Sequence, residues 1–168
     1  LLASITIPKS VTKIGSGILE GTAIYDNPAN WENGVLYIDD CLIGVKENLS
    51  GEVQIRENTR LIAHHGFYGC QYITSLTIPS SITKIESGDF CKCYSLRHVE
   101  LPEGLKYIGD FAFEECRSLT HISLPKSLRV IRECAFYKCS SLESIVIPDG
   151  ATMGRHAFTL CTSLRSVT

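Results

Sequence analysis

The chain has 168 residues and a formal net charge of −2; 44% of its residues are hydrophobic and 20% are charged. These proportions are typical of a folded protein and exclude an intrinsically disordered one. Lys and Arg are scattered along the chain, so the sequence predicts no nucleic-acid interface and no electrostatic membrane anchor. No apolar run approaches the roughly 20 residues that a membrane-spanning helix needs.

Residues 1–22 contain the first predicted element, a regular coil. A short alternating strand ends at Pro8, because a proline cannot donate a hydrogen bond to a strand ladder. A turn and a second extended stretch follow, and a compact turn with Leu19 and Thr22 closes the coil. Because the chain begins and ends inside this pattern, we expect it to be a piece of a longer array.

Residues 23–50 interrupt the pattern with an irregular insert. The segment Ala23–Trp31 is rich in turn-forming residues and is predicted to be a loop. Gly34–Val45 contains two apolar stretches around Asp39 and Asp40. This arrangement predicts a β-hairpin.

Residues 51–168 repeat one pattern with a period of 23 residues. Three residue types keep this step along the chain: Pro79, Pro102, Pro125 and Pro148; Phe67, Phe90, Phe113 and Phe136; Cys70, Cys93, Cys116 and Cys139. Self-similarity at such a period indicates a solenoid in which each repeat forms one coil. A single coil buries too little apolar surface to fold alone, so its stability must come from its neighbours.

One unit, Leu119–Cys139, shows what each coil is expected to form. Alternating apolar and polar residues predict a short strand with one buried face over His121–Leu124. Pro125 ends the strand, a second extended stretch follows, and Cys134–Cys139 is predicted to be a compact turn or a single helical turn. The last unit is one residue shorter, and we expect a local distortion at Ala151–Met153.

The segment Cys116–Cys139, CRSLTHISLPKSLRVIRECAFYKC, resembles the BspA-like leucine-rich repeat, and Trp31–Cys70 resembles an irregular unit found inside such arrays. The resemblance covers nearly the whole chain. It implies one curved, right-handed solenoid of α/β type over residues 1–168, with short parallel strands on the concave face and short strands or single helical turns elsewhere. It also implies export to the cell surface and a role in binding or adhesion, without catalysis and without a cofactor.

The eight cysteines allow two interpretations. Five of them share one place in the repeat, three residues after the Phe position: Cys70, Cys93, Cys116, Cys139 and Cys161. This favours small buried packing residues over disulfides, although neighbouring coils would place these Cα atoms about 5 Å apart, within bonding reach. Cys41, Cys91 and Cys134 lie outside this phase, and we expect them to be the more reactive thiols.

The outward positions of the predicted strands form the candidate binding surface. They stack from coil to coil on the concave wall, which is the usual binding surface of a solenoid. Most are Ser or Thr, with one charged, imidazole-rich spot. The candidate ligand-binding residues are Arg97, His98, Glu100, Thr120, His121, Ser123, Glu143 and Ser144. The alternative interpretation is a solvated β-face that tolerates any small polar residue.

His98 and His121 would be cross-strand neighbours with Cβ atoms about 5 Å apart, and with Glu100 they could hold a metal ion. We expect no metal site, because such a set on an open sheet is usually incidental. A mildly basic stripe on another side includes Lys13, Lys84 and Lys106. It is predicted to be a solubilising face, with contact to an acidic partner as the alternative.

No nucleotide-binding loop or catalytic motif is present. The absence of such motifs favours a non-enzymatic module without a cofactor, and the family resemblance implies that this module serves interaction or adhesion at a cell surface or outside the cell. The expected partner is a protein, with a glycan as the alternative and no nucleic acid. A different class of function, a passive spacer within a larger surface protein, stays open.

Overall fold

The computed structural model of the protein describes residues 4–168; the start of the predicted first coil, residues 1–3, lies outside the described residues. The described chain forms a β-solenoid of about 6 turns with parallel strands and little helix. Equivalent segments of successive coils lie side by side, as the period predicts. The predicted fold class is confirmed.

The first strands of three successive coils build the front sheet, which consists of β4 (Ser50–Gln54), β6 (Tyr72–Thr77) and β8 (His98–Glu100). Its strands are parallel, and Ser75 pairs with His98. A separate parallel pair, β11 (Ser144–Ile145) and β13 (Ser166–Val167), occupies the same place in later coils.

The strand predicted at His121–Leu124 does not form, and the segment Leu119–Leu124 separates β8 from the later pair. Leu119 and Ile122 are buried and His121 is exposed, so the predicted direction of the side chains is correct. Alternating burial decides which way each side chain points. It does not decide whether two neighbouring backbones approach closely enough to complete a ladder.

The second extended stretch of each coil builds the side sheet. Its parallel strands are β7 (Lys84–Ile85), β9 (Tyr107–Ile108), β10 (Val130–Ile131) and β12 (Thr152–Met153). The short last repeat stays in this ladder, since Thr152 pairs with Val130. The distortion expected at Ala151–Met153 therefore does not disrupt the pairing of β12 with β10. The last repeat is one residue shorter than the others, and this shortening lies outside the strand.

The insert contributes a four-stranded meander sheet. Its strands are β1 (Trp31–Glu32), β2 (Val35–Ile38), β3 (Cys41–Val45) and β5 (Leu61–Ile62). The predicted hairpin is confirmed, because β2 and β3 pair antiparallel. A second hairpin joins β1 to β2 through Asn33 and Gly34, which have φ values of 48° and 83°. Asn-Gly is a strong signal for such a turn, and the sequence prediction missed it.

The loop predicted over Ala23–Trp31 contains a short helix, α1 (Ala23–Asp26), and a 3-10 turn at Pro28–Asn30. Thr22 caps α1, since its hydroxyl accepts a hydrogen bond from the Tyr25 amide at 3.3 Å. The loop prediction is wrong for these residues because turn-forming residues also begin helices.

Of the two alternatives predicted at Cys134–Cys139, the structure has the compact turn and not the single helical turn. Amides in the turns bind carbonyls of the next coil, as in the bond from Phe113 N to Ala135 O at 2.7 Å. Residues with left-handed backbones, such as Cys134 (φ 54°) and Lys138 (φ 58°), also interrupt each turn. Both features are incompatible with helical i to i−4 bonding.

A ladder of phenylalanines forms the centre of the core. The rings of Phe67, Phe90, Phe113, Phe136 and Phe158 follow one another with centroids 5.3 to 5.4 Å apart. All eight thiols are free and buried, which confirms the buried-thiol interpretation.

The higher reactivity expected of the thiols outside the repeat phase stays a prediction, and their burial argues against it. Cys41, Cys91 and Cys134 are buried. Burial raises the pKa of Cys41 to about 11 and, with the Glu114 carboxylate, the pKa of Cys91 to about 12. A thiol that stays protonated at neutral pH is a poor nucleophile.

Candidate binding surface

The outward side chains of the front sheet form a row of polar groups over an apolar core. In β8, buried Val99 separates exposed His98 and Glu100. In β6, buried Leu76 separates half-buried Ser75 and Thr77. The sequence produces this row because side chains alternate between the two faces of a strand.

The eight candidate residues lie on three successive coils. Arg97, His98 and Glu100 lie in β8 or next to it; Thr120, His121 and Ser123 lie on the segment without strand pairing; Glu143 and Ser144 lie at β11. All of them are exposed except Thr120 and Ser144, which are half-buried. The structure therefore places them all outward, but it does not join them in one ladder.

The charged groups on this surface are free of ion pairs. Among the described residues, no salt bridge includes Arg97, Glu100 or Glu143. The one side-chain contact along the row joins the Thr77 hydroxyl to the Glu100 carboxylate at 3.5 Å. These charges can therefore meet a ligand without first breaking an internal pair.

The metal-binding alternative at His98 and His121 receives no geometric support. The front sheet ends at β8, so the two histidines are not paired across strands. Over residues 4–168, no group of three or more His, Cys, Asp or Glu side chains is placed to hold a metal ion.

A shallow cleft of 330 Å³ opens where strand pairing is lost between Leu119–Leu124 and β11. Polar groups of His121, Ser123 and Ser144 line it, together with exposed Val146. Its size and mixed lining suit a single side chain of a partner. Val146 occupies an outward position of the repeat, but the sequence prediction omitted it because only polar and charged residues were chosen for the site.

Sequence reasoning also missed Glu52 and Gln54 on β4. Glu52 aligns with Ser75 and Gln54 aligns with Thr77, and both β4 side chains are exposed. The alternation around buried Val53 was the available signal. The sequence prediction overlooked it because no proline ends this strand. With these residues the polar row extends over three adjacent strands.

Parallel strands stacked at a period of 23 residues, with one outward polar row, define a leucine-rich-repeat solenoid. The family model described as "BspA type Leucine rich repeat region (6 copies)" matches residues 1–71 and 60–168. The chain belongs to this family. Leucine-rich repeats generally serve as protein-interaction modules. No curated protein sequence matches the chain.

Solved structures share the fold. A leucine-rich cell surface protein from Faecalibacterium prausnitzii is 27% identical with a TM-score of 0.72, and the match covers 81% of this chain and 39% of that one. The T. pallidum leucine-rich repeat protein TpLRR is 32% identical with a TM-score of 0.61, over 79% of this chain and 56% of that one.

A Bacteroides ovatus leucine-rich repeat protein, at 24% identity and a TM-score of 0.56, shows the same fold over 80% of this chain and 44% of its own. The chain therefore spans roughly half of these proteins or less. Among residues 4–168, no helix has the length and apolar character needed to cross a membrane.

Proposed function

We propose that the chain is a non-enzymatic interaction module that binds a macromolecular partner, with a protein expected, on its front surface. The front surface is defined by the outward residues of the front sheet and of the two coils after it: Glu52, Gln54, Ser75, Thr77, Arg97, His98, Glu100, Thr120, His121, Ser123, Glu143, Ser144 and Val146. The observation that carries the proposal is the row of outward polar groups whose charges form no ion pair among the described residues.

The chemistry of this surface suits a protein better than a glycan. Hydroxyls, carboxylates and the Arg97 guanidinium can bind backbone and side-chain groups of a protein surface. Apart from exposed Tyr72 at the start of β6, the front sheet carries no Trp, Tyr or Phe ring on which a sugar could stack. The exposed Val146 beside the cleft adds an apolar contact of the kind found in interface centres.

The scaffold under the front surface is rigid. Leu76, Val99 and Ile145 are at most 3% exposed and pack beneath the outward row. A partner would therefore bind groups that are already held in position, which lowers the entropy cost of association.

A location at the cell surface and a role in adhesion are part of the same proposal. The family match and the F. prausnitzii cell surface protein support them. The competing function, a passive spacer, requires the coils but not the identity of the outward side chains.

A bead-adhesion assay on epithelial cells tests the proposal. Beads coated with the chain are compared with beads that carry the triple variant His98→Ala, Glu100→Ala, His121→Ala, and a control variant Glu103→Ala, Lys126→Ala at exposed turn positions. We expect saturable binding that the triple variant reduces about tenfold, equivalent to 1.4 kcal/mol, and that the control retains.

Treatment of the cells identifies the chemistry of the partner. Protease treatment should abolish binding, whereas glycosidase treatment should leave it intact; the reverse result supports a glycan. Binding that the triple variant retains would exclude the front surface. An absence of saturable binding would favour the spacer.

A further inference from the structure

A cleft with a volume of 490 Å³ opens on the side of the solenoid, between β5 and β7, which are not joined by strand pairing. Arg60–Ile62 line one wall, Ile82–Lys84 line the other, and Thr12–Gly15 close a third side. Small-molecule sites have volumes of roughly 300–1,000 Å³. The cleft is therefore large enough for a small ligand.

The coils that carry β5 and β7 are hydrogen-bonded directly to each other on both sides of the cleft. The Ser81 hydroxyl donates to the Thr59 carbonyl at 2.6 Å, and the Phe67 amide donates to the Asp89 carbonyl at 2.9 Å. These bonds fix the distance between the two coils and leave no room for an added strand. A ligand of this cleft must be a small molecule that enters from solvent.

The cleft opens where a backbone bond of the later coils is missing. In the next coil, Gly109 N binds Ile85 O at 2.9 Å. One period earlier the same bond would join Glu86 N to Ile62 O, and within residues 4–168 it is absent. The Glu86 amide donates instead to Oδ2 of Asp89 at 2.9 Å. The Asp89 carboxyl thus replaces a bond that would otherwise draw the two strands together.

Asp89 supports the wall of the cleft and does not meet a ligand, because it is only 1% exposed. The sequence marks this position, since a carboxyl side chain stands where the other coils have a small residue. The equivalent residues are Gly66, Ala112, Ala135 and Ala157.

Isoleucine side chains form the apolar interior of the cleft. Ile14, Ile62 and Ile82 line it from its three sides, and each is at most 8% exposed. An aliphatic side chain of a ligand can remove its surface from water against them, which favours binding.

Unpaired charges of both signs also line the cleft. Lys13 and Lys84 are exposed and Glu86 is half-buried, and among the described residues none of the three forms an ion pair. Arg60 is already paired with Asp40. Glu86 would repel an acidic ligand and the lysines would repel a cationic one, whereas each charge of a zwitterion finds an opposite charge here.

The positions of Lys84 and Glu86 favour a zwitterion whose two charges are close together. The two residues flank buried Ile85, so their side chains point to the same face. In a free α-amino acid, the ammonium and the carboxylate are attached to one carbon atom. In a dipeptide the two charges are separated by a further peptide unit, which adds up to about 3.8 Å.

We propose that this cleft binds a free α-amino acid with an aliphatic side chain. The carboxylate of the ligand accepts hydrogen bonds from the ammonium groups of Lys13 and Lys84, its ammonium donates to the Glu86 carboxylate, and its side chain packs against the isoleucines. Hydrogen bonds between charged groups are stronger than those between neutral ones. This site is independent of the front surface, so it does not depend on the function proposed there.

Nitrogen-15 NMR titration with L-leucine tests the proposal. We expect saturable shifts at the amides of Ile62, Thr83 and Lys84. The variants Lys84→Gln and Glu86→Gln should each weaken binding about tenfold, which corresponds to 1.4 kcal/mol. Lys106→Gln is the matched control, because Lys106 is exposed on the same side one coil later and does not line the cleft; its affinity should equal that of the wild type.

Three analogues of leucine test the chemistry of the ligand without changing the protein. Isocaproate lacks the ammonium, isoamylamine lacks the carboxylate, and glycine keeps both charges but lacks the aliphatic side chain. We expect each of them to bind at least tenfold more weakly than leucine. Equal binding of any analogue, equal weakening by Lys106→Gln, shifts confined to residues outside the cleft, or no saturable shift at millimolar leucine would each overturn the proposal.

Discussion

The thiol of Cys116 donates a hydrogen bond to the backbone carbonyl of Phe90 in the preceding coil, with Sγ and O 3.2 Å apart. The same bond joins Cys93 to Phe67, Cys139 to Phe113 and Cys161 to Phe136, at 3.1 to 3.2 Å. Each of these carbonyls also accepts a hydrogen bond from the amide three residues later, such as Cys93 N to Phe90 O at 3.4 Å, so the thiol is a second donor to a buried acceptor. The cysteine column is therefore a set of polar contacts as well as a packing column.

We expect Cys116→Ala to lower the free energy of unfolding by about 1–3 kcal/mol, because it removes both the donor and part of the buried volume. Cys116→Ser should cost less, since its hydroxyl can still donate to the Phe90 carbonyl. Urea unfolding followed by circular dichroism measures both variants. Equal losses for the two variants would mean that only packing volume matters at this position.

Cys70 provides a matched control within the same chain. It occupies the same place in the repeat and is buried, but within residues 4–168 its thiol donates no hydrogen bond to a carbonyl of a preceding coil. Cys70→Ser should therefore be no more stable than Cys70→Ala. A clear advantage of Ser at residue 70 would contradict the role assigned to the thiol hydrogen bond.

The period of the sequence is enough to predict the register of the coils. Ser75 pairs with His98, and Tyr107 pairs with Val130, because residues one period apart become lateral neighbours. The inward positions of Leu119 and Ile122 also follow from alternation alone. These features depend only on the spacing of residues along the chain, which can be measured in the sequence.

The breaks between sheets could not be predicted in this way. The residue types of Leu61–Ile62 and Lys84–Ile85 are typical of these positions in the repeat, so they do not indicate that the two strands fail to pair. The missing pairing depends on where the insert positions the neighbouring coils. The break that separates His98 from His121 depends similarly on backbone approach, so the charged spot of the candidate site is divided. Asp89, where other coils have Ala or Gly, was the available signal of the cleft.

Phe113 lies in the middle of the ring ladder, fully buried between Phe90 and Phe136. We expect Phe113→Ala to reduce the free energy of unfolding by about 3–5 kcal/mol, because the cavity separates two stacked neighbours. Phe158→Ala should cost clearly less, since Phe158 is only partly buried and stacks on one ring. Thermal and urea unfolding measure the loss of unfolding free energy in each of the two variants. Equal losses would contradict the view that stability depends on the stacking of neighbouring coils.

Asp89 should make stability depend on pH. Burial raises the pKa of its carboxyl from 3.8 to about 7. Since the folded protein holds the proton more tightly than the unfolded chain does, this contribution to stability is present below pH 4 and is lost as the pH rises from about 4 through 7. The loss is on the order of a few kcal/mol, because each tenfold difference in proton affinity corresponds to about 1.4 kcal/mol.

Asp89→Ala removes this dependence. At pH 8 the variant should be more stable than the wild type, whereas at pH 4 it should be equal or slightly less stable because the Glu86 amide loses its acceptor. Urea unfolding at pH 4, 6 and 8 measures the difference between the two proteins. A difference that stays constant across this range would show that Asp89 does not titrate as its burial requires.

Arg60 holds the first coil against the rest of the solenoid. Its guanidinium donates to the carbonyls of Pro8 and Val11, and its Nε lies 3.2 Å from the Asp40 carboxylate. Lys9 and Arg60 together lower the pKa of Asp40 to about 2, with Lys9 the larger cause. The first coil otherwise has few buried side chains; Ile14 and Leu19 are the buried ones among residues 4–22.

We expect Arg60→Ala to weaken docking of the first coil by about 1.5–3 kcal/mol, the usual range for hydrogen bonds to a charged group. Cleavage by trypsin after Lys13 should become about tenfold faster or more, because proteolysis follows the population of the opened segment. Arg56→Ala is the control, since Arg56 pairs with exposed Glu32 and forms no hydrogen bond or ion pair with residues 4–22 of the first coil. Faster cleavage in both variants would indicate general loosening, and no change in either would mean that apolar contacts alone hold the coil.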